Sequence, residues 1–549
     1  MTTLDVAATG AAADAVSAHV PTLVADRVAS RLFAGDHTLW GPEAEAEAAK
    51  RLSWTGLPRT SRHLVGEIEA LRGELQETGY DRVVLCGMGG SSLAPEVICA
   101  TAGVPIVVLD SSDPDVVRGA LTALDRTVVV VSSKSGSTVE TDSQRRAFEQ
   151  AFRDADIDPT TRMVVVTDPG SPLDGDARAA GYRVVNADPD VGGRYSALTA
   201  FGLVPSGLAG ADVQELLDDA EAVADLLAAD DDANPALRLG AAMGGTTPLR
   251  DKLVLVDAGT ENVGFGAWAE QLIAESTGKE GTGILPVVAI GDQPAHLYDD
   301  GTVVRLVSSD ADTGGHEGPE VPDAGSSPAA SVVTVAGPLG AQMLLWEAAT
   351  AVAGRLLGIN PFDQPDVESA KAAARDLLDA GIGAGEQPAF VDGAVEVRAL
   401  GGDWLGDAHT VDAAVDVLLG CLDGQHGYVA VMAYLDREAD ADLEHVARDL
   451  FDRTGRPATF GWGPRFLHST GQYHKGGPAT GVYVQVTAAP AEDLAVPGRD
   501  FTLGQFIAAQ AAGDATVLAD HGRPVLRLHL TDHDTGLAQV RAALGRGRS

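Results

Sequence analysis

The chain has 549 residues, 45% hydrophobic and 21% charged, enough apolar material for globular cores and, at roughly 100–200 residues each, for about three domains. A formal net charge of −40 repels nucleic acid and anionic membranes, and no stretch approaches the ~18 consecutive apolar residues of a membrane helix. Cys86, Cys99 and Cys421 are too few for a disulfide framework and lack metal-ligand spacing, and the N-terminus has no basic segment ahead of an apolar one, so a reducing cytoplasm is the expected setting.

Residues 1–58 are Ala-rich and predict a helical lead-in that ends at "RLSWTGLP". Over residues 59–233, "RVVLCGMGG", "PIVVLD", "TVVVVSS", "RMVVVTDPG" and "YRVVN" alternate with helix-like stretches. Continuous rather than alternating apolar runs predict strands covered on both faces, hence a parallel sheet. Residues 234–383 repeat the pattern with "KLVLVDAG", "ILPVVAIG", "TVVRLVSS" and "SVVTVAGP". The expected class is α/β: two doubly wound parallel-sheet domains and a C-terminal α/β domain over 384–549, with "YVAVMAYL" and "VLRLHL" among its strands. The segment from Ser308 to Ser331 has no Lys or Arg and little apolar content, and predicts a mobile surface loop.

Two strand-to-helix junctions carry the first functional signal. "SSKSGSTVET" (Ser132 to Thr141) puts Ser133, Lys134, Ser135, Ser137 and Thr138 ahead of a helix. Hydroxyls, a lysine and a helix N-terminus together suit an anion, phosphate above all; a polar turn with a Ser N-cap is the alternative. "GMGGSS" (Gly87 to Ser92) follows the strand "RVVLC". It lacks the third glycine of a dinucleotide loop and the G-K-[ST] of a nucleotide-triphosphate loop, so neither NAD nor ATP is expected. Two such loops at the carboxyl ends of parallel strands can converge on one small anion.

Three further segments carry groups suited to proton transfer. Arg194 follows two glycines in "VGGRYS", where it can face a developing oxyanion or simply the surface. Gln271 and Glu275 share a helix face in "EQLIAESTGKEG". Glu275 lies near the helix end, where the dipole opposes a carboxylate, so a role beyond solubility is plausible for it. Glu368 and Lys371 in "VESAK" are three apart, a spacing that most often marks an exposed ion pair.

In this order, "GMGGSS", "SKSGSTVET", "VGGRYS", "AESTGK" and "VESAK" resemble the glucose-6-phosphate isomerase family over about residues 60–375. The resemblance implies paired sugar-isomerase (SIS) domains, a sugar-phosphate substrate, no cofactor or metal, and a homodimer. It places the phosphate on Gly90, Ser91, Ser133, Lys134, Ser135 and Thr138. It makes Arg194 the stabiliser of an enediolate, Glu275 the base between C2 and C1 with Gln271 beside it, and Lys371 a sugar-oxygen contact. The ring-opening histidine expected between the glutamate and the lysine would be His296 or His316, neither in a family-like context. His468 and His474, in "HSTGQYHKGG", are the other candidates. That stretch and "FTLGQFIAAQAAGD" are similar to the isomerase half of transaldolase–isomerase fusions and their stand-alone actinobacterial relatives, and 549 residues leave no room for the transaldolase. Two rival readings are a bifunctional glucose/mannose phosphate isomerase and a non-catalytic sugar-phosphate-binding regulator. The joint presence of Arg194, Glu275 and Lys371 argues against the regulator, as does the lack of a basic patch or helix-turn-helix candidate.

Overall fold

The computed structural model describes residues 4–289, 299–309, 331–379 and 387–546, with the side chains of residues 367–371 and 379 outside that set. His296, His316 and nearly all of the predicted loop from Ser308 to Ser331 lie outside the described residues.

The first strand, β1 (Asp5–Gly10), precedes the alternating set β2 (Arg82–Gly87), β3 (Val107–Leu109), β4 (Thr127–Ser132), β5 (Met163–Thr167) and β6 (Arg183–Asn186). Strands β2 to β6 form a parallel sheet in the order β3-β2-β4-β5-β6. Every residue of β4 and β5 is buried, because helices cover both faces of a doubly wound sheet. The next set is β7 (Lys252–Asp257), β8 (Leu285–Val288), β9 (Gly301–Val307) and β10 (Ser331–Ala336). These four run parallel in the order β10-β9-β7-β8.

The lead-in differs from its helical expectation at its start. Strand β1 pairs antiparallel with β10, from Asp5 opposite Ala336 to Gly10 opposite Ser331, and covers the edge of the second sheet. "DVAATG" has weak strand propensity; edge pairing, a tertiary contact, decides its conformation. The helix Ala11–Ala25 then packs on the helix Pro235–Gly244, so the chain's first residues belong with the second sheet.

The C-terminal region holds β11 (Phe390–Asp392), β12 (Val395–Leu400), β13 (Tyr428–Tyr434), β14 (Ala458–Trp462), β15 (Gly481–Ala488) and β16 (Val525–Leu530). Their order is β11-β12-β16-β15-β13-β14, parallel from β16 to β14 and antiparallel at the β11–β12 and β12–β16 pairs. This region packs against the regions of both other sheets. Val496 and Leu503 enter the core of the first sheet, while Tyr428, Met432 and Tyr473 pack with Val254, Ala274 and Leu285 of the second. Charge links reinforce both contacts: Arg465 meets Asp110 at 2.9 Å, and Arg456 meets Asp300 at 2.7 Å, an aspartate that also holds the fully buried Lys252 at 3.0 Å. Among the described residues no helix is long and apolar enough to cross a membrane.

Candidate active site

Strands β2 and β4 are neighbours, with Gly87 opposite Ser132, so the loops at their carboxyl ends lie side by side. After β2 the chain makes a tight turn, Gly89–Ser91. A Cβ on Gly89 would stand 2.7 Å from Gln271 Nε2 and 3.0 Å from His468 Cβ, and one on Gly90 only 2.0 Å from the Gly193 carbonyl oxygen. These glycines therefore let four segments meet: the glycine loop, the Arg194 turn, the Glu275 helix and the His468 turn. Ser91 is half-buried on the same turn.

After β4, residues Ser133 to Thr138 lead into the helix Val139–Asp154. Ser133 Oγ accepts from the Gly136 N–H and donates to Thr138 Oγ1, both at 3.2 Å, and the Ser135 and Ser137 hydroxyls are 2.7 Å apart. Thr138 is the N-cap residue but makes no side-chain bond to the helix, so the first-turn N–H groups keep their anion-attracting character. A pocket of about 120 Å³ opens here, lined by Ser135, Ser137, Thr138, Arg375, His468 and Gln510. Lys134 turns elsewhere: its Nζ donates to Asp168 at 2.6 Å and to the Pro189 carbonyl at 3.0 Å. Among the described residues, the cation that lines the hydroxyl pocket is Arg375, from the helix Pro365–Asp379.

Gln271 and Glu275 are buried on the helix Phe265–Thr277. Gln271 Nε2 donates to Glu275 Oε2 at 3.2 Å and to the His468 carbonyl at 2.7 Å. Facing them is Arg194, only 4% exposed, in the turn Gly193–Tyr195. A guanidinium carries five N–H donors. Nε donates to Ser276 Oγ (2.8 Å), Nη1 to Gln364 Oε1 (2.6 Å), and Nη2 to the carbonyls of Pro361 and Asp363 (both 2.9 Å). The remaining donor is on Nη1, the atom 3.7 Å from Glu275 Oε1. Arg194 is thus clamped, with one donor to spare on the nitrogen nearest the carboxylate. Lys279 grips the same segment through Asn360 O (2.8 Å), Asp363 O (2.6 Å) and Asp363 Oδ1 (2.6 Å). Burial lowers its ammonium pKa to about 8, with Arg194 adding to the fall and Asp363 opposing it.

The two histidines of "HSTGQYHKGG" separate. His468 Nε2 lies 3.1 Å from Glu140 Oε1, and Gln510 Nε2 donates to the same oxygen at 2.7 Å. Glu140 stands in the first turn of the helix behind the hydroxyl loop; it is part of "SKSGSTVET", but sequence reading gave it no role. His474 is sealed among tyrosines, with Nδ1 2.9 Å from Tyr428 OH and its ring stacked on Tyr428. Among the described residues it has no hydrogen bond to Arg194, Glu275 or the hydroxyl loop. Lys371 lies on the helix Pro365–Asp379, with its side chain outside the described set. The helix start is held near the site: Gln472 Oε1 accepts from the Asp366 N–H at 3.0 Å, while its Nε2 donates to the Gly278 carbonyl at 2.9 Å.

No family model matches the chain. It is 32% identical over 351 residues to a probable glucose-6-phosphate isomerase of Natronomonas pharaonis, covering 55% of this chain and 81% of that one. Identity to a glucose-6-phosphate isomerase of Rubrobacter xylanophilus is 31% over 377 residues, 57% of this chain and 86% of the relative. Among solved structures, a hypothetical protein of Thermus thermophilus, TT0462, superposes with TM-score 0.57 at 27% identity, covering 69% of this chain and all of that one. A glucose-6-phosphate isomerase of Chlamydia trachomatis shares the fold, with TM-score 0.50, 21% identity, and 66% of this chain and 79% of that one covered.

Proposed function

We propose that this chain, which belongs to the glucose-6-phosphate isomerase family, interconverts D-glucose 6-phosphate and D-fructose 6-phosphate through an enediolate, serving glycolysis and gluconeogenesis. The observation that carries the mechanism is the clamped Arg194 with one donor to spare on the nitrogen nearest the buried Glu275.

The phosphate binds at the hydroxyl loop. Ser135, Ser137 and Thr138 and the uncapped helix start supply donors, Arg375 supplies charge, and Gly90 and Ser91, on the turn after the neighbouring strand, complete the set. Lys134 acts at one remove, through Asp168, by holding the loop in shape. Fixing the phosphate at one end lets binding energy orient the reacting carbons at the other.

Ring opening needs a proton delivered to the ring oxygen as its bond to the anomeric carbon breaks, while the anomeric hydroxyl gives one up. His468 is the candidate whose setting fits. A carboxylate facing Nε2 makes that nitrogen the donor and leaves Nδ1 to exchange the proton. Glu275 then removes the C2 proton of the open aldose and returns it to C1. Arg194 offers its charge and one preorganised N–H to the oxygen on which negative charge grows, without moving to do so. Gln271, bonded at once to Glu275 and to the His468 carbonyl, keeps base and ring-opening turn in register. Lys371 completes the proposal as a sugar-oxygen contact.

The test is fructose 6-phosphate turnover in an assay coupled to glucose-6-phosphate dehydrogenase. Replacing a general base costs ~10²–10⁴-fold, so Glu275→Gln should lose that much kcat while still binding sugar phosphate. A wild type that binds fructose 6-phosphate without turning it over would leave the phosphate loops standing and remove the enzyme. A cytoplasmic setting, supported by the free cysteines, and a homodimer complete the proposal; sedimentation equilibrium tests the latter.

A further inference from the structure

A cavity of about 530 Å³ opens where the three domains meet. Leu93 and Val97 of the helix Leu93–Thr101 form one wall, Ala267 and Glu270 of the Glu275 helix a second, and Phe460 and Trp462 of β14 a third. The volume suits a small ligand, and domain junctions are where such sites occur. It is separate from the hydroxyl pocket, and no residue lines both.

The charges in the lining decide what fits. Arg465 and Arg437 are already matched: Arg465 by Asp110 at 2.9 Å and by Glu96, Arg437 by Glu96 at 3.0 Å. Three carboxyls remain. Glu438 is exposed at the rim. Glu444 accepts from Trp462 Nε1 at 2.5 Å, which fixes it at the edge of the indole. Glu270 is half-buried on the opposite wall and has no hydrogen-bond partner among the described residues. Burial raises its carboxyl pKa to about 8; Arg465 opposes the rise and Glu444 adds to it. Such a carboxyl releases its proton to solvent and gains an ion-pair partner when a cation arrives. Phe460 and Trp462, with ring centroids 4.9 Å apart, present aromatic surface in the same lining as the two glutamates, a surface that attracts cations. A sugar phosphate finds no unmatched cation here, and the overall charge of −40 draws cations toward the protein.

We propose that this cavity binds a small organic cation carrying an apolar ring, its ammonium or guanidinium held between Glu270 and Glu444 and its ring laid on Trp462 and Phe460. The occupant would lie against the two elements that carry Gln271 and His468. Glu270 adjoins Gln271, and Arg465 and Phe466 belong to the same turn as His468.

The test is isothermal titration of the intact chain with 2-phenylethylammonium at low salt, beside 2-phenylethanol as an uncharged isostere. The cation is expected to bind at least about tenfold more tightly than the alcohol, a factor within the range of a partly desolvated cation–aromatic contact plus an ion pair. Glu270→Gln and Glu444→Gln should each abolish that preference. Val263→Trp, at a half-exposed rim position, should block both probes without removing a charge. Equal binding of the two probes, no binding of the cation to wild type, binding unaffected by all three variants, or displacement of the cation by fructose 6-phosphate would each overturn the proposal.

Discussion

His468 and His474 stand six residues apart in one glycine-rich stretch, yet the fold puts them in opposite environments. His468 ends a short turn where three segments meet: Glu140 faces its ring, Gln510 bonds that carboxylate, and Gln271 bonds its carbonyl. His474 lies on a six-residue helix turned into the C-terminal domain, among Tyr428 and Tyr483. Burial lowers its imidazole pKa to about 3, and the neighbouring Lys475 and Arg523 push it further the same way. A histidine held neutral at every physiological pH is a packing group with a hydrogen bond. A histidine paired with a carboxylate beside the hydroxyl pocket is equipped to move a proton. Closeness in sequence carried no information here; the neighbour that decides the role of His468 is 328 residues away.

The comparison breaks most sharply at His468. His468→Asn should lower isomerisation about 10²-fold, the low end for a general acid–base group because sugar rings also open unaided. The two chemical steps can be read separately. Exchange between the α and β anomers of glucose 6-phosphate, followed by NMR, needs only ring opening and closing. Exchange of the C2 proton with deuterated solvent needs Glu275. His468→Asn should therefore lose anomer exchange, while Glu275→Gln keeps it and loses C2 exchange. If His468→Asn keeps full anomer exchange, the pairing with Glu140 has another purpose.

Lys279 sharpens the contrast from another direction, as a buried cation that acts by holding its neighbour. It and Arg194 share the Asp363 carbonyl, so removing its grip frees the segment that clamps the guanidinium. Lys279→Met should lower kcat about tenfold, a modest share of what misplacing a reacting group can cost. KM for fructose 6-phosphate should stay nearly constant, because the phosphate donors lie on the other loop. A raised KM with unchanged kcat would instead place Lys279 in substrate binding.

Much of this was legible in the sequence, for identifiable reasons. The Val-rich runs announced both parallel sheets, since strands buried on two faces have no polar alternation to confuse them. Strand β1 was not legible, because its six residues become a strand only by pairing with β10, more than 300 residues away. Strands β11, β12 and β14 were short and partly exposed, and gave no continuous apolar signal. The close approach of Gly90 to the Gly193 carbonyl is a contact that no local pattern announces. Lys134 stood out as the cation of its motif, and only the fold reveals that Asp168 and the Pro189 carbonyl hold it. Residue types that can do chemistry are visible in a sequence; which of them are already spoken for is a tertiary fact.

The smallest expected effect on activity is at His474, and it shows in stability. His474→Phe keeps a ring stacked on Tyr428 and leaves the bond between Tyr428 and Tyr483 in place. Turnover should stay within about twofold, since the sealed cage touches no reacting group. The pH dependence of folding should change. In the unfolded chain an imidazole takes up a proton near its ordinary 6.5, but in the folded chain only near about 3. Between those values the unfolded state binds more protons, so stability falls as pH falls, by up to about 1.4 kcal/mol per pH unit from this group. The contribution is fully present above 6.5 and drains away toward 3. Chemical-denaturation curves at intervals across that window should run steeper for wild type than for His474→Phe, with the difference vanishing above pH 7. Parallel curves would mean that the cage admits a protonated histidine. A loss of turnover as large as that of His468→Asn would mean that His474, despite its tyrosines, opens the ring.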